Sequence, residues 1–175
     1  MSGLLLIAFI FFVFAQAAFT RSGGQSAADA AALAAARESR DHLHELFLEA
    51  AGGGEDLEEL LDGEGFETDG ACVEASRLAE RNDANVVSCL PEPERVGYTI
   101  DIETRRSVGE SVIPGTEDQR SRAQATAVIL GLCEVSEEAD DRVELTCDEQ
   151  NWDFDPDDEE ALPEPRDLFH IYLED

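Results

Sequence analysis

The chain begins with an apolar run that continues, without an intervening proline, into a tract of small residues. The run is Leu4–Phe14 and the tract is Gln25–Ala36. A helix that is apolar at its start and rich in alanine further on favours lipid around the first part and close helix neighbours around the second. The pattern predicts one long helix over residues 4–50, bent at Gly23-Gly24, where the backbone is least restricted.

The length of the apolar part is marginal for a membrane span. Leu4–Phe19 is about 16 residues, or roughly 24 Å of helix against a hydrocarbon core of about 30 Å. We expect a transmembrane segment at residues 1–20, and the shortness also fits a span that starts further upstream. The competing interpretation is a cleavable signal peptide, because Ala15-Gln16-Ala17 has the A-x-A form. No basic residue precedes the run and the helical pattern continues across that point, which favours a retained anchor.

The chain is strongly acidic. It has 175 residues, a formal net charge of −29, and arginine as its basic residue throughout. Such a charge disfavours binding to nucleic acid or to an anionic membrane surface. It favours solubility, cation binding or a basic partner.

Four cysteines indicate the compartment. An even count behind a membrane segment predicts two disulfides in an oxidising space, and three pairings can be written for Cys72, Cys89, Cys133 and Cys147. Pairing in sequence order, Cys72–Cys89 and Cys133–Cys147, closes the shortest loops, each contributing about 3 kcal/mol in the chain-entropy description. Four buried thiols in a cytosolic protein are the alternative. The positions of Arg21 and Arg37 would place the C-terminus inside, but the cysteines favour a C-terminal domain outside the cytoplasm.

The alanine tract has the spacing of a helix-packing surface. Alanines four residues apart fall on one face and let another helix approach closely. The alternative is high helix propensity with nothing packed against the tract. The residues concerned are Ala27, Ala31 and Ala35, flanked by Ala28, Ala32 and Ala36.

The remaining sequence predicts an α+β domain. Residues 21–51 continue the helix from the span, residues 52–70 form an acidic, glycine-rich linker with a short helix near Leu57, and residues 71–175 form the extracytoplasmic domain. In that domain a helix over 71–81 precedes mostly antiparallel strands, so we expect a small antiparallel sheet with one packed helix. The strands are expected at 85–89, 96–103, 122–132, 143–147 and 167–173, with loops at 108–116 and 152–165. Apolar residues alternate in the second and third of these strands, which predicts one buried face for each: Val96, Tyr98, Ile100 and Ile102 in the second, and Ala123, Ala125, Ala127 and Ile129 in the third.

No catalytic motif is present in the sequence. His42 and His44 point to different helix faces and His170 has no sequence partner, while nucleophile, phosphate-loop and dinucleotide motifs are lacking. We expect a protein that is not an enzyme and needs neither cofactor nor metal. The acidic stretch Asp153–Glu160 predicts a solvated loop; weak divalent-cation binding is the alternative, although Asp158 stands where a calcium loop needs glycine.

The tract Gln25–Ala36 resembles the TadE/TadG-like proteins of the tight-adherence (Flp) pilus assembly system. The unit from Gly70 to Cys89, with Cys72 and Leu78–Asn82 inside it, is similar to actinobacterial-type members, as are Gly109–Thr116 and the strand at 123–128. The resemblance implies a pilin-like fold and a non-catalytic, single-pass subunit of the cell membrane, acting in pilus assembly or a related secretion system.

That subunit would contact the lipid bilayer and other pilin-like or Tad-type membrane subunits through its N-terminal helix. The chain departs from prepilins in one respect, because Gly3 is followed by Leu4–Phe14 without an acidic residue. The alternative function is a secreted acidic binding module, released by signal peptidase near Ala17.

Overall fold

The structure, a computed structural model, describes residues 2–53, 56–107, 120–139 and 142–174. Within these ranges the helices are α1 (Ser2–Gly53), α2 (Leu57–Leu61), α3 (Asp69–Arg81) and α4 (Pro165–Leu168). The strands are β1 (Ala84–Pro91), β2 (Gly97–Ser107), β3 (Arg120–Gly131), β4 (Cys133–Ala139), β5 (Arg142–Cys147), β6 (Trp152–Phe154) and β7 (Phe169–Leu173). The connection predicted over residues 108–116 lies outside the described residues.

Helix α1 is continuous over 52 residues, a length of about 78 Å. The helical backbone is unbroken at Gly23 and Gly24, the point at which the sequence predicts a bend. Gly24 is a point of close approach: a Cβ atom there would lie 3.3 Å from the Oγ atom of Ser121 on β3. The glycine therefore lets the helix lie close against the sheet. We call the part of the chain from Gly24 onward the head.

The strands form two antiparallel sheets. The first has the order β1-β2-β3-β7 and the second the order β4-β5-β6. The predicted α+β class is confirmed, with two sheets in place of the single one expected. The sequence did not predict β4, β6 and α4: β4 alternates apolar residues with glutamates only briefly, and β6 has three residues.

The core lies between α1 and the inner face of the first sheet, with α3 packed beside the helix. Alternation along β2 and β3 is as predicted. Tyr98, Ile100 and Ile102 are buried on β2, and Ala125, Ala127 and Ile129 are buried on β3. Small side chains on β3 allow α1 to approach the sheet closely.

The expected linker at 52–70 is not separate from this core in its described part. Leu57 and Leu61 of α2 are buried in the same cluster as Phe47 of α1. Side chains four residues apart on one turn of helix share a face, and here that face packs on the head. The alanine-rich half of α1, α2 and the strands therefore share one hydrophobic core.

Candidate functional site

The six alanines predicted to form a helix-packing surface pack inside their own chain. Ala27, Ala28, Ala31, Ala32, Ala35 and Ala36 are all fully buried. The cover comes from α3 and from the first sheet, both of which contact α1. The close packing predicted for this stripe occurs within the chain, with α3 as the neighbouring helix, and none of the six alanines has exposed surface.

The start of α1 has a different environment. Ile7 is 54% exposed and Phe11 is 73% exposed. Residues four apart on a helix lie on the same face, so these two large apolar side chains form one exposed strip. An exposed Phe or Ile forgoes about 1.5–3 kcal/mol that full burial would provide.

Among the helices of the described ranges, none combines the length and apolar character that crossing a lipid bilayer requires.

Both predicted disulfides are present. Cys72 on α3 is bonded to Cys89 on β1, with their Cα atoms 5.9 Å apart. Cys133 and Cys147 are bonded directly across the β4–β5 pair, with their Cα atoms 4.0 Å apart. The first bond holds α3 to the edge strand of the first sheet, and the second closes the β4–β5 hairpin at its open end.

The histidines have structural or surface roles. The Nε2 atom of His44 lies 2.8 Å from the carbonyl oxygen of Pro163, so a protonated Nε2 donates a hydrogen bond that ties α1 to the segment before α4. His170 is exposed and stacks on Tyr172 at 6.1 Å between ring centroids. In the part of the chain that the structure describes, no group of three or more His, Cys, Asp or Glu side chains is placed to hold a metal ion.

Carboxylates of the acidic stretch hydrogen-bond to their own backbone. Asp155 accepts from the N–H of Asp157 at 2.9 Å, and Asp158 accepts from the N–H of Glu160 at 3.2 Å. Such Asx turns are typical of a tight loop. Asp153 lies before this loop and pairs with Arg142.

Neighbouring charges shift the pKa of two carboxyl groups, those of the exposed Glu59 and the half-buried Glu74. The pKa of Glu59 is raised, chiefly by repulsion from Glu64 and then from Asp56. The pKa of Glu74 is lowered, chiefly by its hydrogen bond from Arg77 one helical turn away. Glu59 lies on α2 and Glu74 on α3, both in the head.

A groove of about 650 Å³, which the sequence did not predict, lies between the end of β3 and the β4–β5 hairpin. Val128, Leu130 and Tyr172 line its apolar part, and Asp62, Glu134 and Asp148 are among its polar lining. The available signal was the unbroken run Ala127–Leu130. In a strand, such a run places apolar side chains on both faces of the sheet.

Comparison of the chain with protein-family models, with curated proteins and with solved structures gave no match.

Proposed function

We propose that the protein is a non-catalytic, pilin-like assembly subunit of the TadE/TadG-like kind, tethered to the membrane by the apolar start of α1. The observation that carries the proposal is that the two parts of the continuous helix α1 differ in burial. Its alanine-rich half is buried in the head, while Ile7 and Phe11 near its start are exposed.

Because α1 is continuous, it joins the tether rigidly to the head. From Ser2 to Gln25 the helix rises about 35 Å, and Gln25 is already bonded to the sheet through the backbone oxygen of Gln124. A partner or bilayer that holds the first part of α1 therefore also sets the position of the head. No flexible joint is needed between them.

The marginal length of the apolar stretch favours association with other helices. A hydrophobic segment shorter than the bilayer is accommodated by local thinning or by oligomerisation. The head carries the acidic residues, and its charge opposes direct head-to-head contact between copies at low salt. The apolar start, Leu4–Phe19, carries no charged side chain, so association through this segment avoids that repulsion.

The two disulfides support a head outside the cytoplasm. Disulfides persist in exported proteins and are rare in a reducing cytosol. With α1 as the tether, the head would extend from the outer side of the cell membrane.

Fractionation of cells that express the full chain tests the tether. We expect the protein in the membrane fraction, resistant to alkaline carbonate, with an intact mass that includes Leu4–Phe19. The double variant Ile7→Asp/Phe11→Asp should move to the soluble fraction. The matched control Val87→Asp/Leu90→Asp makes the same chemical change at exposed apolar sites of the head and should stay with the membrane.

Two outcomes would reject the proposal. A product found only in the medium and starting near Ala18 would support the secreted acidic binding module. A full-length, fully reduced protein in the cytosol would exclude both the membrane-tethered subunit and the secreted module. The assembly role is tested by a photo-crosslinking residue at position 11, which should form an adduct with another helix-bearing membrane subunit, whereas the same residue at position 90 should not.

A further inference from the structure

The groove between the first sheet and the β4–β5 hairpin joins an exposed apolar patch to an acidic rim. Leu130 is 51% exposed and Tyr172 is 38% exposed. The register of the sheet places Leu130 opposite His170 and Val128 opposite Tyr172, so the three apolar side chains belong to adjacent strands. No neighbouring element covers Leu130 within the described residues, since half of its surface is accessible.

The carboxylates on the rim are exposed. Among the described residues, no hydrogen bond or ion pair involves the side-chain oxygens of Asp62, Glu134 or Asp148. Arg95 also lines the groove, but it is already engaged in ion pairs with Glu92 and Glu174. The rim therefore presents negative charge around an apolar floor.

The walls of the groove are held in place before anything binds. The Cys133–Cys147 disulfide joins β4 to β5. Glu134 lies on β4, and Asp148 directly follows β5. The N–H of Asp148 donates to the carbonyl oxygen of Leu132 at 3.1 Å. The N–H of Leu132 in turn donates to the carbonyl oxygen of Leu168 at 2.8 Å. A preformed site loses less conformational entropy on binding than a mobile one.

We propose that this groove binds a segment of a partner protein that carries arginine or lysine beside an aliphatic or aromatic anchor. The anchor covers Leu130 and Tyr172, and the basic groups pair with the rim carboxylates. A second copy of this chain fits poorly, because it would bring another net charge of −29 to an acidic rim. The volume suits one or two side chains of a partner.

The groove is remote from the tether. It lies at the end of β3, about 30 Å along the strand from Ser121, which adjoins Gly24. Binding in the groove is therefore independent of whether the start of α1 lies in a membrane, and either proposal can fail alone.

Peptide binding to the full chain in a zwitterionic detergent tests the groove. The probe is a short fluorescein-labelled peptide that alternates arginine and leucine, followed by fluorescence anisotropy at low salt. We expect Leu130→Ser to weaken binding about tenfold, the change that follows from losing one buried anchor contact. Leu90→Ser, which alters a similarly exposed leucine on β1, should stay within about twofold of the parent.

Two triple variants with the same change in charge distinguish binding by the rim carboxylates from non-specific attraction of the peptide to an acidic protein. Neutralising Asp62, Glu134 and Asp148 to their amides should weaken binding about fivefold or more. Neutralising Asp157, Glu159 and Glu160 removes the same charge from the acidic loop and should have little effect. Circular dichroism and a thiol count check the fold of each variant, and Tyr172→Ser replaces Leu130→Ser if the latter fails to fold.

Three results would overturn the proposal. The two triple variants could weaken binding equally, which would show non-specific attraction. Peptide with glutamate in place of arginine could bind as tightly. Finally, the chain could self-associate in sedimentation experiments through a contact that Leu130→Ser abolishes, which would make a second copy the occupant.

Discussion

Gly131 on β3 lies directly against the carbonyl oxygen of Leu61 at the end of α2. A Cβ atom built at position 131 would overlap that oxygen, which is a backbone atom and cannot rotate away. The contact seats α2 on the end of the sheet, and it places Asp62, the next residue, beside the groove. Gly131 thus sets the distance between α2 and the end of the first sheet.

Replacing Gly131 with alanine should destabilise the protein by about 1–3 kcal/mol, because a methyl group is forced into a filled space. Urea unfolding followed by circular dichroism measures the loss. Gly52→Ala is the control: a Cβ atom there meets nothing within 4 Å, so the helix should gain up to about 1 kcal/mol. Equal stability for the two variants would contradict the close approach.

The burial of the alanine stripe predicts intolerance to larger side chains. Ala31→Leu should cost about 1–3 kcal/mol of unfolding free energy, because α1 cannot move away from α3 and the sheet together. Ser26→Leu, on the exposed side of the same helix, should change stability by less than about 0.5 kcal/mol. If both substitutions were tolerated in the isolated protein, the stripe would have to face a partner.

The disulfides should make similar contributions to stability, because the chain-entropy term depends weakly on loop length. Their sequence separations are 17 and 14 residues. Replacing either pair with serine should lower the unfolding free energy by about 3 kcal/mol, measured by denaturant titration. A reducing agent should destabilise the parent and leave the variant without cysteines unchanged; a parent insensitive to reduction would contradict the prediction.

Glu59 should give a pH-dependent stability effect of defined sign. Its pKa in the folded protein is raised above the ordinary value of 4.5 by Glu64 and Asp56. The folded state therefore holds the Glu59 proton more tightly than the unfolded state, and stability falls as pH rises through the folded-state pKa. Glu59→Gln should be more stable than the parent at pH 7, and the gain should vanish below pH 4.5.

The control for Glu59 is Glu149→Gln. Glu149 is exposed and has the same formal charge, so its replacement reports the general benefit of lowering the net charge. Thermal unfolding at pH 7 and at pH 4 compares the two variants. A gain at pH 7 that is equal for both positions would show that local repulsion around Glu59 is not responsible.

Local patterns predicted much of the fold. Alternation in β2 and β3 gave the correct buried faces, and the short loops gave the correct cysteine pairs. The helix predicted over residues 71–81 does end at Arg81, where the backbone N–H of Asn82 donates to carbonyl oxygens of the last turn. These features depend on residues that lie close together in the chain, so they can be predicted from a single sequence.

Features that depend on distant partners were missed. The stretch 152–165 was predicted as a loop, yet Phe154 is buried near Phe47 of α1, with 6.4 Å between ring centroids. Pairing with β5 makes β6 a strand, although its three residues carry no recognisable period. The groove also depends on two sheets meeting, which no local pattern encodes.

The sequence by itself determined the periodic elements: an apolar start that continues into an alanine-rich helix, strands with one buried face, and cysteines spaced for short loops. Only the tertiary structure decided what covers each face. The alanine spacing permits close packing against any smooth surface, whether a partner helix or the chain's own sheet. The head's own α3 and β3 occupy that place, and the apolar start of α1 is where the helix still presents exposed apolar side chains at Ile7 and Phe11.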